Sequence, residues 1–187
     1  TCRMNSNRTL KNYQNLPYDG SAGHIYVGEV NVPATLTIES GVIYYYPDIF
    51  LDLETGLIAD GVTFTYPENL TTGLAINGTC TITNSVFNQC LVQFGSESYN
   101  CSINYSDFLI INNEAAIITV SPDTVNAENN YWNGDLGPYN HYLNPDGNGC
   151  SISEYVDFMP YSSQAINEPN LRVEIAVYTQ GWLSINS

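Results

Sequence analysis

The chain has 187 residues, of which 43% are hydrophobic, and its 4 basic and 19 acidic side chains give a net charge of −15. This length suits one domain with tails, and the charge excludes nucleic acid, whose phosphates need a basic surface, and disfavours an anionic membrane surface. Since no apolar run approaches the roughly 18 residues of a membrane span, we predict no membrane insertion.

Residues 1–24 show no periodic pattern. They hold three of the four basic residues of the chain, Arg3, Arg8 and Lys11. We therefore predict an N-terminal extension here, followed by the main domain at residues 25–161.

A repeated aromatic residue organises the main domain between residues 57 and 132. The aromatics lie 23, 21 and 24 residues apart, and an apolar residue precedes each one by five positions; the pairs are Ala59 and Phe64, Ile82 and Phe87, Ile103 and Phe108, and Ala127 and Trp132. A period of this length marks a solenoid, and short alternating strands between Asn, Ser and Gly turns make it a β-solenoid. We predict an all-β fold of about five coils with these aromatics stacked in the interior. An exposed ladder that stacks on sugars is the alternative.

Two segments of the main domain resemble a known family. The first comprises residues 32–42 (VPATLTIESGV) and 56–65 (GLIADGVTFT), and the second comprises residues 128–132 (ENNYW), Gly134, Gly137-Pro138, Asp146-Gly147 and residues 156–161 (VDFMPY). They are similar to the opening and closing segments of right-handed parallel β-helix repeat proteins of the pectate-lyase-like superfamily. The resemblance covers about residues 28–161, with Asn133 as an insertion after Trp132, and it implies a right-handed parallel β-helix.

The family resemblance also implies what an enzyme of this fold would need. Lyases of the family use an Arg or Lys base, often with calcium, and hydrolases use clustered Asp residues with basic side chains that hold the acidic sugar. This chain has no Lys or Arg between Lys11 and Arg172. We therefore predict that it is not an enzyme but a non-catalytic secreted or surface member, and we rank a polysaccharide lyase or hydrolase last.

One segment has the oxygen-donor spacing of a calcium loop. Asn144, Asp146 and Asn148 stand at positions 1, 3 and 5, and Gly149 stands at position 6. Glu154 lies next to position 12, where a calcium loop carries its Glu. Calcium is the one cofactor that the sequence suggests, and a polar glycine turn is the alternative.

The chain has five cysteines, none of them in a C-x-x-C pair that would indicate zinc or redox chemistry. Cys80 and Cys101 stand 21 residues apart, at matching places in consecutive coils. Strands in neighbouring coils lie about 4.8 Å apart, which is close enough for a disulfide. A bridge between them and a pair of buried free thiols are both open.

Five N-x-S/T sequons are candidates for glycosylation: Asn7, Asn69, Asn77, Asn100 and Asn104. A chain so rich in Asn, Ser and Thr reaches this number by chance. The sequons therefore indicate where a glycan could be attached and do not show that one is.

Residues 162–187 form a linker and a strand outside the coil period. Leu171, Val173, Ile175 and Val177 alternate along one face, and Trp182 extends the segment. A lone strand is marginal in water, so it needs a sheet edge. It could fold back on its own solenoid or insert into a neighbouring copy by strand addition.

These observations predict a structural subunit of an extracellular or cell-surface assembly, such as a filament or sheath. Its partners are copies of itself, joined by the terminal strands. The scarcity of Lys and the abundance of Asn, Tyr, Ser and Thr favour the extracellular location. The alternative function is a carbohydrate-binding or adhesive surface module, with glycans as partners.

Overall fold

The computed structural model describes residues 2–4, 6–10, 18–19, 25–27, 33–45, 49–51, 54–66, 73–110 and 115–167. Within these ranges the protein is all-β, with nineteen short strands and no helix. The same part of the chain therefore holds no helix with the length and apolarity of a membrane span.

The strands form three parallel sheets. The first sheet contains, in spatial order, β1 (Cys2–Met4), β4 (Ile25–Val27), β7 (Ile49–Leu51), β10 (Gly73–Ile76), β13 (Leu91–Phe94), β16 (Ala115–Thr119) and β18 (Ser151–Ile152). The second contains β2 (Arg8–Leu10), β5 (Thr35–Ile38), β8 (Gly56–Asp60), β11 (Thr79–Thr83), β14 (Cys101–Asn104), β17 (Val125–Asn126) and β19 (Val156–Asp157). The third contains β3 (Tyr18–Asp19), β6 (Ile43–Tyr45), β9 (Thr63–Thr65), β12 (Val86–Asn88) and β15 (Asp107–Leu109).

The connectivity stacks the chain on itself. Up to β16, each sheet takes every third strand, so the chain visits the three sheets in turn and returns to pair with its previous pass. Parallel bridges from Asp107 to Tyr131 and from Tyr131 to Ser162 continue the third sheet beyond its last named strand. This arrangement of stacked parallel strands is consistent with the predicted β-solenoid.

The strand sequences follow the alternation that a half-buried strand requires. In β11, Cys80 and Ile82 are buried, whereas Thr79, Thr81 and Thr83 face outward. β-Branched Thr suits a pleated, partly exposed surface, so the strand is favoured on both of its faces.

A sharp corner separates the second sheet from the third at a matching place in four successive passes, from β8 onward. It is formed by one residue with positive φ: Gly61 at 63°, Asn84 at 49°, Tyr105 at 54° and Asn129 at 60°. Gly and Asn adopt this left-handed conformation at little cost, which explains their place in the repeat, whereas Tyr105 adopts it against its preference.

The aromatic stack predicted from the repeat is confirmed. Ring centroids are 5.2 Å apart for Phe64 and Phe87, 4.6 Å for Phe87 and Phe108, and 4.6 Å for Phe108 and Trp132. All four side chains have 0% exposure. Since the rings lie in the core, the sugar-stacking alternative is wrong for these residues.

Small polar residues form a second, hydrogen-bonded ladder inside the corner. The Ser85 N–H donates to the Ser106 hydroxyl at 3.1 Å, and the Ser106 N–H donates to the Asn130 amide oxygen at 2.8 Å. These side chains satisfy backbone groups that the corner leaves without a strand partner.

The structure differs from the expected N-terminal extension at residues 1–24. β1, β2 and β3 are the first strands of the three sheets, and they pair in parallel with β4, β5 and β6. Basic residues and strands of two or three residues hide the alternation that identifies strands from sequence. Arg8, for example, pairs with Leu36, so a charged residue occupies a register position that is apolar in the next strand. Among the described residues two sheets have seven strands each and the third has five. The number of coils, expected to be about five, stays a prediction.

Candidate functional site

The best-defined candidate site is the loop of residues 133–150, here called the end loop. It leads from Trp132 to β18, and backbone hydrogen bonds tie it to that strand. The Tyr139 N–H donates to the Cys150 carbonyl at 3.1 Å, and the Ile152 N–H donates to the Tyr139 carbonyl at 3.0 Å. The loop is therefore fixed to the last strand of the first sheet.

A buried amide holds the middle of the end loop. The Asn140 side-chain oxygen accepts the N–H groups of Tyr142 and Leu143, each at 3.0 Å. Its NH2 group donates to the carbonyls of Ile152 and Ser153, each at 3.2 Å. Asn140 is only 3% exposed, so one side chain satisfies four backbone groups and links the loop to the strand beside it.

Two further amides close the rest of the end loop. The Asn144 NH2 group donates to the carbonyls of Leu136 and Pro138, at 2.9 and 2.8 Å. Asn148 accepts the Leu136 N–H at 2.9 Å and donates to the Asp135 carboxylate at 2.7 Å. The loop is thus organised by its own Asn side chains.

Glycine allows the end loop to fold this tightly. A Cβ at position 147 would collide with the Pro138 carbonyl, and one at position 149 would collide with the Trp132 carbonyl. The backbone therefore approaches itself more closely than any side chain permits.

The predicted calcium residues lie in or beside this loop. Asn144 and Asn148 take the hydrogen bonds given above, and Asp146 and Glu154 are exposed. Over the described residues no three His, Cys, Asp or Glu side chains are grouped so that they could hold a metal ion. The loop forms the polar glycine turn that was the alternative, and calcium binding stays a prediction.

The outer side of the end loop is apolar and exposed. The described residues expose eleven large hydrophobic side chains, and four of them lie within these eighteen positions. They are Leu136 at 49%, Tyr139 at 39%, Tyr142 at 73% and Leu143 at 59% exposure, and together they are called the loop face. Large aromatic and aliphatic side chains held in water on a fixed loop are typical of a binding surface.

Two contacts join a member of the loop face to another residue of the end loop. The Leu136 carbonyl accepts from Asn144, the residue after Leu143, and His141 packs edge-on against Tyr142 with ring centroids 4.7 Å apart. The sequence alone does not indicate this surface, because no periodic pattern marks which side chains of an irregular loop are exposed. The signal present in the sequence was the density of Asn, Gly and Tyr in one short segment.

Cys80 and Cys101 are directly opposite each other in β11 and β14. Both are buried free thiols, and the Cys101 thiol also donates to the Gly78 carbonyl at 3.4 Å. The hydrogen bond between the two thiols raises the pKa of Cys80 and lowers the pKa of Cys101. In this structure the pair is unbridged, which is the alternative that the sequence left open. Because the two residues are in direct register, a bridge between them stays a prediction.

The sequons differ in how freely a glycan could reach them. Asn7, Asn77 and Asn100 are exposed. The Asn104 side-chain oxygen is buried and meets no donor among the described residues, so this sequon is the least accessible of the four. Asn69 lies outside the described residues.

The predicted assembly strand, with Leu171, Val173, Ile175, Val177 and Trp182, lies outside the described residues. The segment before it is fixed. The Asp107 carboxylate, which is 0% exposed, accepts the N–H groups of Ile166 at 2.9 Å and Asn167 at 2.7 Å, and the Asn167 NH2 donates to the Tyr105 carbonyl at 2.9 Å. Burial raises the pKa of Asp107, and the donated N–H groups partly offset this. Residues 166–167 are therefore held beside the third sheet.

Comparison of the chain with protein-family models, with curated proteins and with solved structures gives no match. The functional argument therefore rests on the residues and on the geometry of the end loop.

Proposed function

We propose that this chain is a non-catalytic, extracellular binding module: a right-handed parallel β-helix of the pectate-lyase-like type that presents the loop face to a partner. The observation that carries the proposal is the exposure of Tyr142. Its side chain is 73% exposed, and it lies on a loop whose backbone is held by the buried Asn140 amide. A rigid aromatic anchor loses little conformational entropy on binding, which is what an adhesive surface requires.

Sequence features support the non-catalytic and extracellular parts of the proposal. The stretch between Lys11 and Arg172 has no Lys or Arg side chain that could act as a lyase base or hold an acidic sugar. The low Lys content and the abundance of Asn, Tyr, Ser and Thr favour an extracellular protein.

The test is a binding screen with matched variants. Purified chain is immobilised and exposed to neutral polysaccharides, acidic polysaccharides and peptides of differing charge. The double variant Tyr142→Ala and Leu143→Ala is compared with Tyr99→Ala, which removes a 38% exposed ring outside the end loop. For at least one ligand class, the loop variant is expected to bind about tenfold or more weakly than the unchanged chain. The Tyr99→Ala control is expected to bind the same ligand as strongly as the unchanged chain. If no ligand distinguishes the two, the binding function is wrong.

A second candidate, the structural subunit joined by its terminal strand, is favoured by the Asp107 contact. Because Asp107 fixes Ile166 and Asn167, the segment that follows starts at a defined place beside the third sheet. From there it could pair with its own sheet or with a neighbouring copy. Truncation after Asn167 tests this: polymers that form from the full chain and are absent from the truncated chain support assembly, and identical sedimentation of the two contradicts it.

A further inference from the structure

The loop face lies in a strongly acidic part of the molecule. Within the end loop Asp135 and Asp146 are exposed, and Glu154 and Asp157 follow in the next turn and strand, also exposed. The sequence between Lys11 and Arg172, which includes this region, contains no Lys or Arg. These four carboxylates, in a stretch of sequence without Lys or Arg, favour a negative electrostatic potential over the loop face.

The apolar part of the loop face suits a cation as well. Tyr139 and Tyr142 expose aromatic rings, whose faces carry a partial negative charge and attract Lys ammonium and Arg guanidinium groups. One carboxylate of the end loop is held in place, because the Asn148 amide donates to Asp135 at 2.7 Å. A ligand that combines apolar surface with positive charge would contact both kinds of group at once.

From this charge complementarity we propose that the loop face binds a segment of a partner protein that carries Arg or Lys side chains, in a refinement that rests on the binding function proposed above. The rings receive the cationic heads and their aliphatic stems, while Asp135 and Asp146 pair with the charges. A polyanion is repelled by the same carboxylates. A neutral glycan could stack on the rings but would make no use of the charge.

The fixed loop strengthens the case for a protein partner. The Asn140 and Asn144 hydrogen bonds order the backbone before any ligand arrives, so binding does not have to fold the loop. Tyr and Arg are also among the residue types that carry most of the binding energy at protein interfaces.

The experiment uses the full chain and two synthetic probes: a twelve-residue peptide of alternating Arg and Gly, and a neutral peptide in which Gln replaces Arg. Calorimetry at low and moderate salt is expected to detect the Arg peptide and not the Gln peptide. Affinity is expected to fall as salt rises, because exposed charges are screened.

Matched variants separate the loop face from general charge attraction. Tyr142→Ala is expected to reduce the affinity for the Arg peptide by about five- to tenfold, whereas Tyr99→Ala is expected to leave this affinity unchanged. Asp146→Asn is expected to weaken binding more than Glu97→Gln, which removes one exposed charge elsewhere.

Each other outcome overturns the inference. Equal losses from Asp146→Asn and Glu97→Gln would mean diffuse attraction by the net charge. A second outcome is that a neutral polysaccharide binds in a way that depends on Tyr142 while the Arg peptide does not. This result would overturn the basic partner and leave the binding function in place. If the binding of no probe depends on Tyr142, both the basic partner and the binding function are overturned.

Discussion

Phe87 and Phe108 stack face to face at the centre of the core, with ring centroids 4.6 Å apart and an angle of 6° between their planes. Phe87 also stacks on Phe64, so it is packed from both sides. Phe87→Ala should therefore leave a cavity that neither neighbour can fill, and cost about 3–5 kcal/mol in the free energy of unfolding. Denaturant unfolding measures this. Ile58→Ala, which alters a side chain 48% exposed on the second sheet, is the control and should change stability by less than about 0.5 kcal/mol. A cost below about 1 kcal/mol for Phe87→Ala would contradict the packing described here.

The buried carboxylate of Asp107 makes stability depend on pH. Because burial raises its pKa above the ordinary value of 3.8, the folded protein binds this proton more tightly than the unfolded chain does. The resulting stabilisation is complete below pH 3.8 and is lost as pH rises through the raised pKa. Asp107→Asn removes the titration, so the stability of the native chain relative to this variant should fall over that pH range. Melting temperatures of both proteins at a series of pH values test this, and parallel curves would show that Asp107 does not titrate as described.

The Asn140 amide should contribute more to the free energy of unfolding than any other polar side chain in the end loop. Asn140→Ala leaves the Tyr142 and Leu143 N–H groups and two carbonyls without their partner, which should cost about 1–3 kcal/mol. Asn148→Ala removes hydrogen bonds at an exposed position, where water can replace them, and should cost less. Denaturant unfolding compares the two, and limited proteolysis should show earlier cleavage at the loop in the Asn140 variant. Equal costs would mean that the loop is not held from Asn140.

One substitution is expected to stabilise the protein. Tyr105 has φ of 54° at the corner where Gly61 and Asn84 occupy the matching positions. A left-handed conformation costs a bulky residue more than it costs Asn, so Tyr105→Asn should raise the free energy of unfolding by up to about 1 kcal/mol. Tyr99→Asn, a change of the same type at an exposed residue that is not among those with positive φ, is the control. If Tyr105→Asn is destabilising, the exposed ring makes contacts that outweigh the backbone strain.

The repeat could be predicted from sequence because its cause is local and recurs. One corner residue, one inward apolar residue and one aromatic return at steps of 23, 21 and 24, and stacking places Phe64, Phe87, Phe108 and Trp132 in one column. The strands of residues 1–24 could not be recognised in this way, because β1 to β3 are very short and a basic residue occupies a register position that is apolar in the next strand.

The features nearest to function depend on contacts that no period encodes. Asp107 meets Ile166 and Asn167 across about sixty residues of chain, and nothing in the sequence around either partner indicates the other. In the end loop, the spacing of Asn144, Asp146 and Asn148 resembles a calcium loop, yet the amides of Asn144 and Asn148 are used to hold the loop itself. The loop face follows from those hydrogen bonds and not from the alternation of the strands.

The order of the sheets also determines how the protein would respond to a pulling force. Among the described residues, each inner strand of the second sheet is bonded to the strand of the preceding pass and to that of the following pass. Tension applied at the two ends of the chain is therefore expected to load these contacts one after another. Because each layer of such a stack contacts its nearest neighbours, the layers are expected to unfold one at a time and not all together. With 21 to 24 residues between matching positions, each layer would release roughly 75 Å of extended chain. A protein of this kind can lengthen under load in steps while the layers that remain closed keep their shape.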